Sequence, residues 1–183
     1  MSGIDEIVAR SRQAGTFVER RTFTVARDRA IAKMRKFALA SPYYYVLELI
    51  QAAVSNGARY VDLDLHGSHM GLSYVGGGFQ PDELGRLFDF LFASKEDLGT
   101  ADVRQLALGL NALFLFEPDE IVLESGDGSA KGTTRVRITG TDTLEVGRPE
   151  APLRGTYVVA RGLSGGGLGA RSPRRHEMSA IES

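Results

Sequence analysis

The sequence predicts an α+β protein, a two-layer α/β sandwich with helices on one face of a mixed, mainly antiparallel sheet. Three observations predict this class. Apolar residues recur at helical spacing in paired segments, they alternate in short runs between those pairs, and glycine-rich turn signals separate neighbouring runs. Short strands grouped between helix pairs favour antiparallel neighbours over a doubly wound parallel sheet. A chain of 183 residues, 43% of them hydrophobic, can form the core of one such domain.

The first half of the chain predicts three helices and three strands. Ser41 and Pro42 are typical of a helix start and Gly57 of a helix end, so we place a core helix between them. The apolar runs that follow alternate with polar residues, as in half-buried strands. The predicted elements are helices at 4–14, 27–39 and 42–56, and strands at 16–25, 59–65 and 72–75.

The second half predicts two further helices, three further strands and a linker. The helices are expected at 81–93 and 103–116, and the strands at 120–124, 133–139 and 156–161.

The composition changes to Gly, Ser and Arg at Ser164, and Ser172 with Pro173 is again typical of a helix start. We therefore expect one domain at 1–163. A linker and the start of a helix at 164–183 would lead to a following domain.

The composition excludes several kinds of function. The chain has no cysteine, which removes disulfides, thiolate catalysis and thiolate metal sites. With 3 histidines, a metal site built from imidazoles is not expected. A formal net charge of -1 disfavours non-specific binding of the whole chain to nucleic acid or membranes. The apolar runs are shorter than the ~20 residues of a spanning helix. Residues 1–15 lack the apolar core of a signal peptide, so we expect a cytoplasmic protein.

Glu48 is the most informative residue of the predicted core helix. A charged side chain on an otherwise apolar helix has to be paired, hydrated in a cavity, or shifted in pKa. Positions 52, 55 and 56 lie on the same side of this helix, at spacings of four, seven and eight residues. Taken alone, such a residue is more often a helix-end Glu that faces solvent.

Two glycine segments could complete a pocket beside this helix. Gly76 to Gly78 follow the third predicted strand, and Gly109 lies in a later helix, after the pair Ser94 and Lys95. Glycines permit close approach of the backbone and supply amide donors for phosphates. A glycine triplet alone is more often an ordinary turn. The ordered set of acid, glycine turn, Ser-Lys pair and second glycine favours a single nucleotide pocket.

This order of segments resembles the GHKL superfamily of ATPases, which includes gyrase B, the large heat-shock chaperone, sensor histidine kinases and MutL. The similar segments are Glu48–Leu65 for the first box and its strand, Leu72–Phe79 with Gln80–Leu84 and Phe92–Lys95 for the second box and its helix, Arg104–Leu113 for the glycine-containing lid, and Gly155–Val159 for the closing strand. The resemblance covers about residues 30–163 and fits the gyrase, chaperone and MutL branches better than the kinases. It implies the Bergerat fold and a site for ATP with magnesium.

The resemblance also implies roles for individual residues. Glu48 corresponds to the general base that orients water. Ala52 stands where the family has an Asn that binds magnesium, and alanine has no oxygen to offer a hard cation. Tyr74 stands where the family has the Asp that accepts the adenine amino group, a loss that costs about 1.5–3 kcal/mol. The other positions implied to bind nucleotide are Asn56, Gly76, Gly78, Ser94, Lys95, Gly109 and Thr156.

With Ala52 and Tyr74 in place of the family's Asn and Asp, two principal hypotheses remain for the function. In the first, the chain is an ATP-binding domain that acts as a nucleotide-dependent conformational switch, with weak or no hydrolysis. In the second, it is a pseudo-ATPase retained as a module for homodimerisation or for binding another protein. A third hypothesis is a contact with nucleic acid through a cluster of basic residues in the first third of the chain. It is less favoured because such clusters are more often a solvated helix face. The basic residues are Arg20, Arg21, Arg27, Arg29, Lys33, Arg35 and Lys36.

Overall fold

The computed structural model describes residues 27–93, 98–129, 131–149 and 151–164. Within these ranges the chain forms a six-stranded sheet with helices packed on one face, which confirms the predicted α+β sandwich. Every strand pairing in the described part is antiparallel, so the sheet there is more uniform than the mixed sheet expected. The predicted helix at 4–14, the strand at 16–25, the pair Ser94 and Lys95, and residues from 165 onwards lie outside the described ranges.

The helical layer consists of four α-helices among the described residues. They are α1 (Arg27–Phe37), α2 (Tyr45–Ser55), α3 (Pro81–Gly85) and α4 (Ala101–Leu113). Short 3-10 turns at Pro42–Tyr44 and Phe114–Phe116 extend the ends of α2 and α4. In the described part of the chain, no helix has the length and apolar character needed to cross a membrane.

The prediction of one continuous helix at 81–93 is wrong in its second half. Helix α3 ends at Gly85, and Leu87–Phe92 forms a 3-10 helix instead. Glycine is a poor residue for a helix interior, which favours a break at this point. Leu87, Phe88 and Leu91 are all buried, so the tighter turn still directs its apolar side chains into the core.

The six strands form one sheet in the order β1-β2-β6-β3-β4-β5. They are β1 (Asp62–His66), β2 (His69–Tyr74), β3 (Glu120–Asp127), β4 (Thr133–Gly140), β5 (Thr143–Gly147) and β6 (Arg154–Arg161). Strand β5 was not predicted because it lies at an edge and is mostly exposed, so its apolar alternation is weak. The last described strand, β6, lies between β2 and β3 near the centre of the sheet.

Helices α2 and α4 run antiparallel and form the closest helix pair of the core. Gly109 of α4 lies against α2, where a Cβ atom would be 2.8 Å from Leu49 Cγ and 3.0 Å from the Tyr45 carbonyl oxygen. Gln105 Nε2 donates a hydrogen bond to Gln51 Oε1 at 3.1 Å on the exposed side of the pair. The missing side chain at Gly109 therefore allows the two helices to approach closely.

The outer face of the sheet, opposite the helices, carries a network of ion pairs. Glu120 pairs with Arg137 at 3.0 Å and with Arg161 at 3.1 Å, and Glu124 pairs with Arg135 at 3.3 Å. The hydrogen bond from the Arg137 guanidinium, with help from Arg161, holds the pKa of the Glu120 carboxyl below its usual value. These pairs keep the charged side chains of neighbouring strands matched.

Candidate functional site

The C-terminal end of α2 and the glycine turn at 76–78 lie directly against each other. The backbone N–H of Gly77 donates to the Asn56 carbonyl oxygen at 2.8 Å. The Asn56 side chain then pairs with the backbone of Gly78. Gly78 N–H donates to Asn56 Oδ1 at 3.0 Å, and Asn56 Nδ2 donates to the Gly78 carbonyl at 3.1 Å. Asn56 thus closes the turn onto the helix by using both ends of its amide.

A carboxylate on α4 completes this arrangement. Asn56 Nδ2 also donates to Asp102 Oδ2 at 2.8 Å, and Asp102 Oδ1 accepts from the backbone N–H of Val103 at 2.8 Å. We call Asn56, Gly78 and Asp102 the Asn56 cluster. Sequence analysis did not identify Asp102, although an acid in the first turn of a helix is a recognisable signal. The cluster links α2, the glycine turn and α4.

Tyr74 fills the space beside the Asn56 cluster. Its side chain is 4% exposed, and a Cβ atom on Gly76 would lie 3.2 Å from Tyr74 Cε2 and 2.8 Å from Asn56 Oδ1. Among the described residues, the buried Tyr74 hydroxyl has no hydrogen-bond partner of good geometry. Burial raises the pKa of the Tyr74 phenol, the nearby Thr156 hydroxyl partly offsets this, and the negative charge of Asp102 adds to it. The Tyr74 phenol is therefore a buried neutral group at the position where the resemblance implies an Asp.

Thr156 and Ser125 are two buried hydroxyl residues next to Tyr74. Their hydroxyl oxygens are 2.9 Å apart, and Ser125 Oγ accepts a hydrogen bond from the backbone N–H of Phe79 at 2.9 Å. Both side chains are buried. The Thr156 hydroxyl is thus already engaged within the protein.

We expect Tyr74→Phe to raise the free energy of unfolding by about 1 kcal/mol, because it removes a buried hydroxyl that lacks a good partner. Urea unfolding followed by circular dichroism measures the change. Tyr157→Phe is a matched control, because that side chain is 40% exposed and its hydroxyl can be hydrated. A loss of stability in Tyr74→Phe would contradict the expectation and indicate that Thr156 binds the phenol.

Glu48 and Ala52 lie on α2 at one-turn intervals before Asn56. Glu48 is half-buried in the first turn of the helix, and Ala52 is fully buried. Asn56 is one turn beyond position 52, a displacement of about 6 Å, and its amide is engaged in the Asn56 cluster. Position 52 therefore offers no oxygen to magnesium, and Asn56 does not replace it. In the ranges that the structure describes, no group of three His, Asp or Glu side chains is arranged to hold a metal ion.

The structure places Gly109 apart from the Asn56 cluster. It lies seven residues after Asp102, about 10 Å further along α4, and it packs against Leu49 rather than against the glycine turn. Gly109 thus allows a close contact between two helices, and its role in nucleotide binding stays a prediction. The structure brings together Asn56, Tyr74 and Thr156 with the glycine turn, and it leaves Gly109 outside this group.

The fold and the site together define an α+β sandwich with a hydrogen-bonded polar cluster where two helices and the glycine turn meet. Comparison with models of known protein families finds no match, and no curated protein matches the sequence either. The resemblance to the GHKL superfamily is therefore an expectation from the order and spacing of the segments quoted above.

Proposed function

We propose that this chain is a GHKL-like domain that has lost ATPase chemistry and acts through contacts with a protein partner. The observation that carries the proposal is the Asn56 cluster. The Gly78 amide, a donor of the kind that would bind phosphate, is already paired with Asn56 Oδ1 at 3.0 Å. The pocket is thus closed by the protein's own groups.

Opening this pocket for a nucleotide has a free-energy cost. Displacing Asn56 leaves the Gly78 carbonyl and the Asp102 carboxylate to find other partners. Both groups are partly buried, so the cost is less than the about 1–3 kcal/mol of a fully buried group left unpaired. Tyr74 would also have to leave a position in which it is 4% exposed. Each 1.4 kcal/mol weakens binding tenfold, so these terms oppose micromolar affinity.

The missing magnesium ligand weighs further against hydrolysis. Phosphoryl transfer depends on a metal ion that neutralises the charge on the phosphates. Ala52 provides no ligand, and the nearest amide on the same face, that of Asn56, is bound to Asp102 at 2.8 Å. Glu48 alone would be a base without a positioned metal and substrate.

A nucleotide-dependent switch with little or no hydrolysis is the second candidate, favoured by the position of Asp102. Its carboxylate lies close enough to Tyr74 to raise the pKa of the phenol, so an acidic acceptor is present beside the position that the resemblance assigns to adenine. In this alternative, ATP with magnesium would displace Asn56 from the Asn56 cluster and so separate α2 from the glycine turn.

Titration calorimetry of the whole chain with ATP and magnesium separates the two candidates. We expect no binding heat up to about 1 mM nucleotide, because the donors are internally paired. Micromolar binding that requires magnesium and is lost in Glu48→Ala or Gly76→Val would refute the proposal. Gln105→Ala, on the exposed side of α4, is the control for non-specific loss of binding. A melting-temperature shift with ADP gives an independent readout.

A further inference from the structure

Strand β1 forms an accessible edge of the sheet in the described part of the chain. It is the first strand in the sheet order, and within the described ranges it pairs with β2 alone, without a register shift from Asp62 to His66. The other edge strand, β5, differs in two ways. Its pairing with β4 contains a register shift, and Gly85 of α3 lies beside its Val146. Bulges and covering helices protect sheet edges, so β1 is the more accessible of the two edges.

The hairpin between β1 and β2 determines which backbone groups of β1 point outwards. Two residues connect His66 to His69, and in such a hairpin the closing pair exchanges its hydrogen bonds. Hydrogen-bonded pairs then recur at every second position, so the even-numbered residues of β1 use their N–H and C=O groups towards β2. The N–H and C=O groups of Leu63 and Leu65 therefore point away from the sheet. These four groups have no backbone partner among the described residues.

The side chains of β1 alternate between two chemically different faces. Leu63 and Leu65 are half-buried and pack against the hydrophobic core on the helix side. Asp62 and Asp64 are exposed on the outer face of the sheet. Residues that lie opposite each other on neighbouring strands have their side chains on the same face. A strand added at this edge would therefore meet leucines on one face and carboxylates on the other.

Neither aspartate is matched by a lysine or arginine. Asp62 lies opposite Ser73 and Asp64 opposite Gly71, and no lysine or arginine in the described ranges forms an ion pair with either carboxylate. Asp64 lies 3.6 Å from His66 on its own strand. The glutamates of β3, by contrast, are paired with arginines on neighbouring strands. The outer face of β1 thus presents two carboxylates to an added strand.

A second copy of β1 is a poor match for this edge. Antiparallel pairing of all five residues with the same five residues of another copy would place Asp64 directly opposite its own equivalent. Like charges that lie opposite each other destabilise a sheet, whereas opposite charges stabilise it. The charge of this edge therefore favours a different protein, whose strand carries basic residues.

We propose that β1 binds an extended segment of a partner protein, which adds one strand to the sheet. The segment carries Lys or Arg at two positions separated by one apolar residue. In antiparallel pairing the two basic side chains lie opposite Asp64 and Asp62 on the outer face, and the apolar residue lies opposite Leu63 on the helix side. The backbone N–H of that apolar residue donates to the Leu63 carbonyl oxygen, and its C=O accepts from the Leu63 N–H. The inference names a binding surface for the proposed protein-interaction function, on which it rests.

The test is an NMR titration of the full isotope-labelled chain with acetyl-Thr-Val-Lys-Val-Lys-amide and with acetyl-Thr-Lys-Lys-Val-Val-amide, which has the same composition. The adjacent lysines of the second peptide point to opposite faces, so only one of them can face an aspartate. We expect the first peptide to bind at least about threefold more tightly. It should also slow the hydrogen exchange of the Leu63 and Leu65 amides, whereas the Asp64 amide, which faces β2, should change little.

Two N-methylated forms of the first peptide separate strand addition from simple charge attraction. N-methylation of the second valine removes the N–H that donates to Leu63 and should reduce affinity about fivefold or more. N-methylation of the first lysine is the matched control, because that N–H points away from β1. The control should retain most of the affinity, although it carries the same added methyl group.

Charge variants of the chain test the outer face of β1. Asp64→Asn should reduce the affinity for acetyl-Thr-Val-Lys-Val-Lys-amide about threefold, as expected for the loss of one exposed ion pair. The double variant Asp62→Lys with Asp64→Lys should instead prefer acetyl-Thr-Val-Glu-Val-Glu-amide, the reverse of the preference of the unmodified chain. Glu145→Gln, on the opposite edge strand β5, is the matched control and should change nothing.

Three results would overturn the proposal: equal affinity of the two lysine peptides, unchanged exchange of the Leu63 and Leu65 amides at saturation, or equal losses for the two N-methylated peptides. A concentration-dependent dimer in ultracentrifugation that protects the same amides would also overturn it, since a second copy would then occupy the edge. The titrations contain no nucleotide and do not depend on the ATP result, so each proposal fails separately.

Discussion

Replacing Gly155 with alanine is expected to lower the free energy of unfolding by about 4 kcal/mol. Gly155 has a φ of +105°, a region that residues with a Cβ atom rarely adopt, and holding alanine there costs about 1–3 kcal/mol. The new methyl group would also overlap the carbonyl oxygen of Tyr74 on the neighbouring strand β2. Relief of that overlap requires β2 and β6 to separate, which adds a further cost of about 1–3 kcal/mol.

Equilibrium urea unfolding measures this effect, with Gly147→Ala as the control. A Cβ atom at Gly147, on the edge strand β5, meets no atom within 4 Å, so that substitution should change stability by less than about 0.5 kcal/mol. Equal stability of the Gly155 and Gly147 variants would show that β2 and β6 are less closely apposed than described. Because a small domain is stable by about 5–15 kcal/mol, the expected loss is a large share of the total.

The second large effect is expected for Gly109→Val, which should destabilise the protein by about 3 kcal/mol. The Cβ atom alone would lie 2.8 Å from Leu49 Cγ and 3.0 Å from the carbonyl oxygen of Tyr45, and valine adds two methyl groups to this contact. Overpacking of this kind costs about 1–3 kcal/mol or more, and the better helix propensity of valine recovers only a few tenths.

A double-variant cycle tests the packing contact of Gly109 directly. The double variant Gly109→Val with Leu49→Ala should lose less stability than the sum of the two single losses, because the space vacated by leucine accepts the new methyl groups. Thermal unfolding of the two single variants and the double variant gives the coupling between the positions. Strictly additive losses would contradict direct contact between residues 49 and 109.

Much of the fold could be predicted because its signals are local. Ser41 and Pro42 indicated the start of the core helix, and the apolar alternation before the glycine turn indicated a strand. Strand β5 and the break after Gly85 could not be predicted in this way. The first has few buried residues, and the second depends on how Leu87 and Phe88 pack against the rest of the core.

The site was predicted as a set of neighbours but not as a set of contacts. Spacing placed Asn56 on the same helix side as Glu48, and the order of segments placed Tyr74 nearby. Whether a side chain lines a hollow or fills it depends on its rotamer and on distant partners. The bond from Asn56 to Asp102 joins residues 46 positions apart, which no local pattern specifies. The contact of Gly109 with Leu49 could not be predicted for the same reason, since it joins two helices that are far apart in the sequence.

The central position of β6 has a consequence for how the chain is synthesised. The hairpin of β1 and β2 and the meander of β3 to β5 are each made earlier, yet they share no strand pairing until β6 is inserted between them. A nascent chain that has not yet released residue 161 from the ribosome would therefore expose two unsatisfied sheet edges. Pairing over this sequence distance is slow to form, so we expect a chaperone requirement to be greatest in this interval.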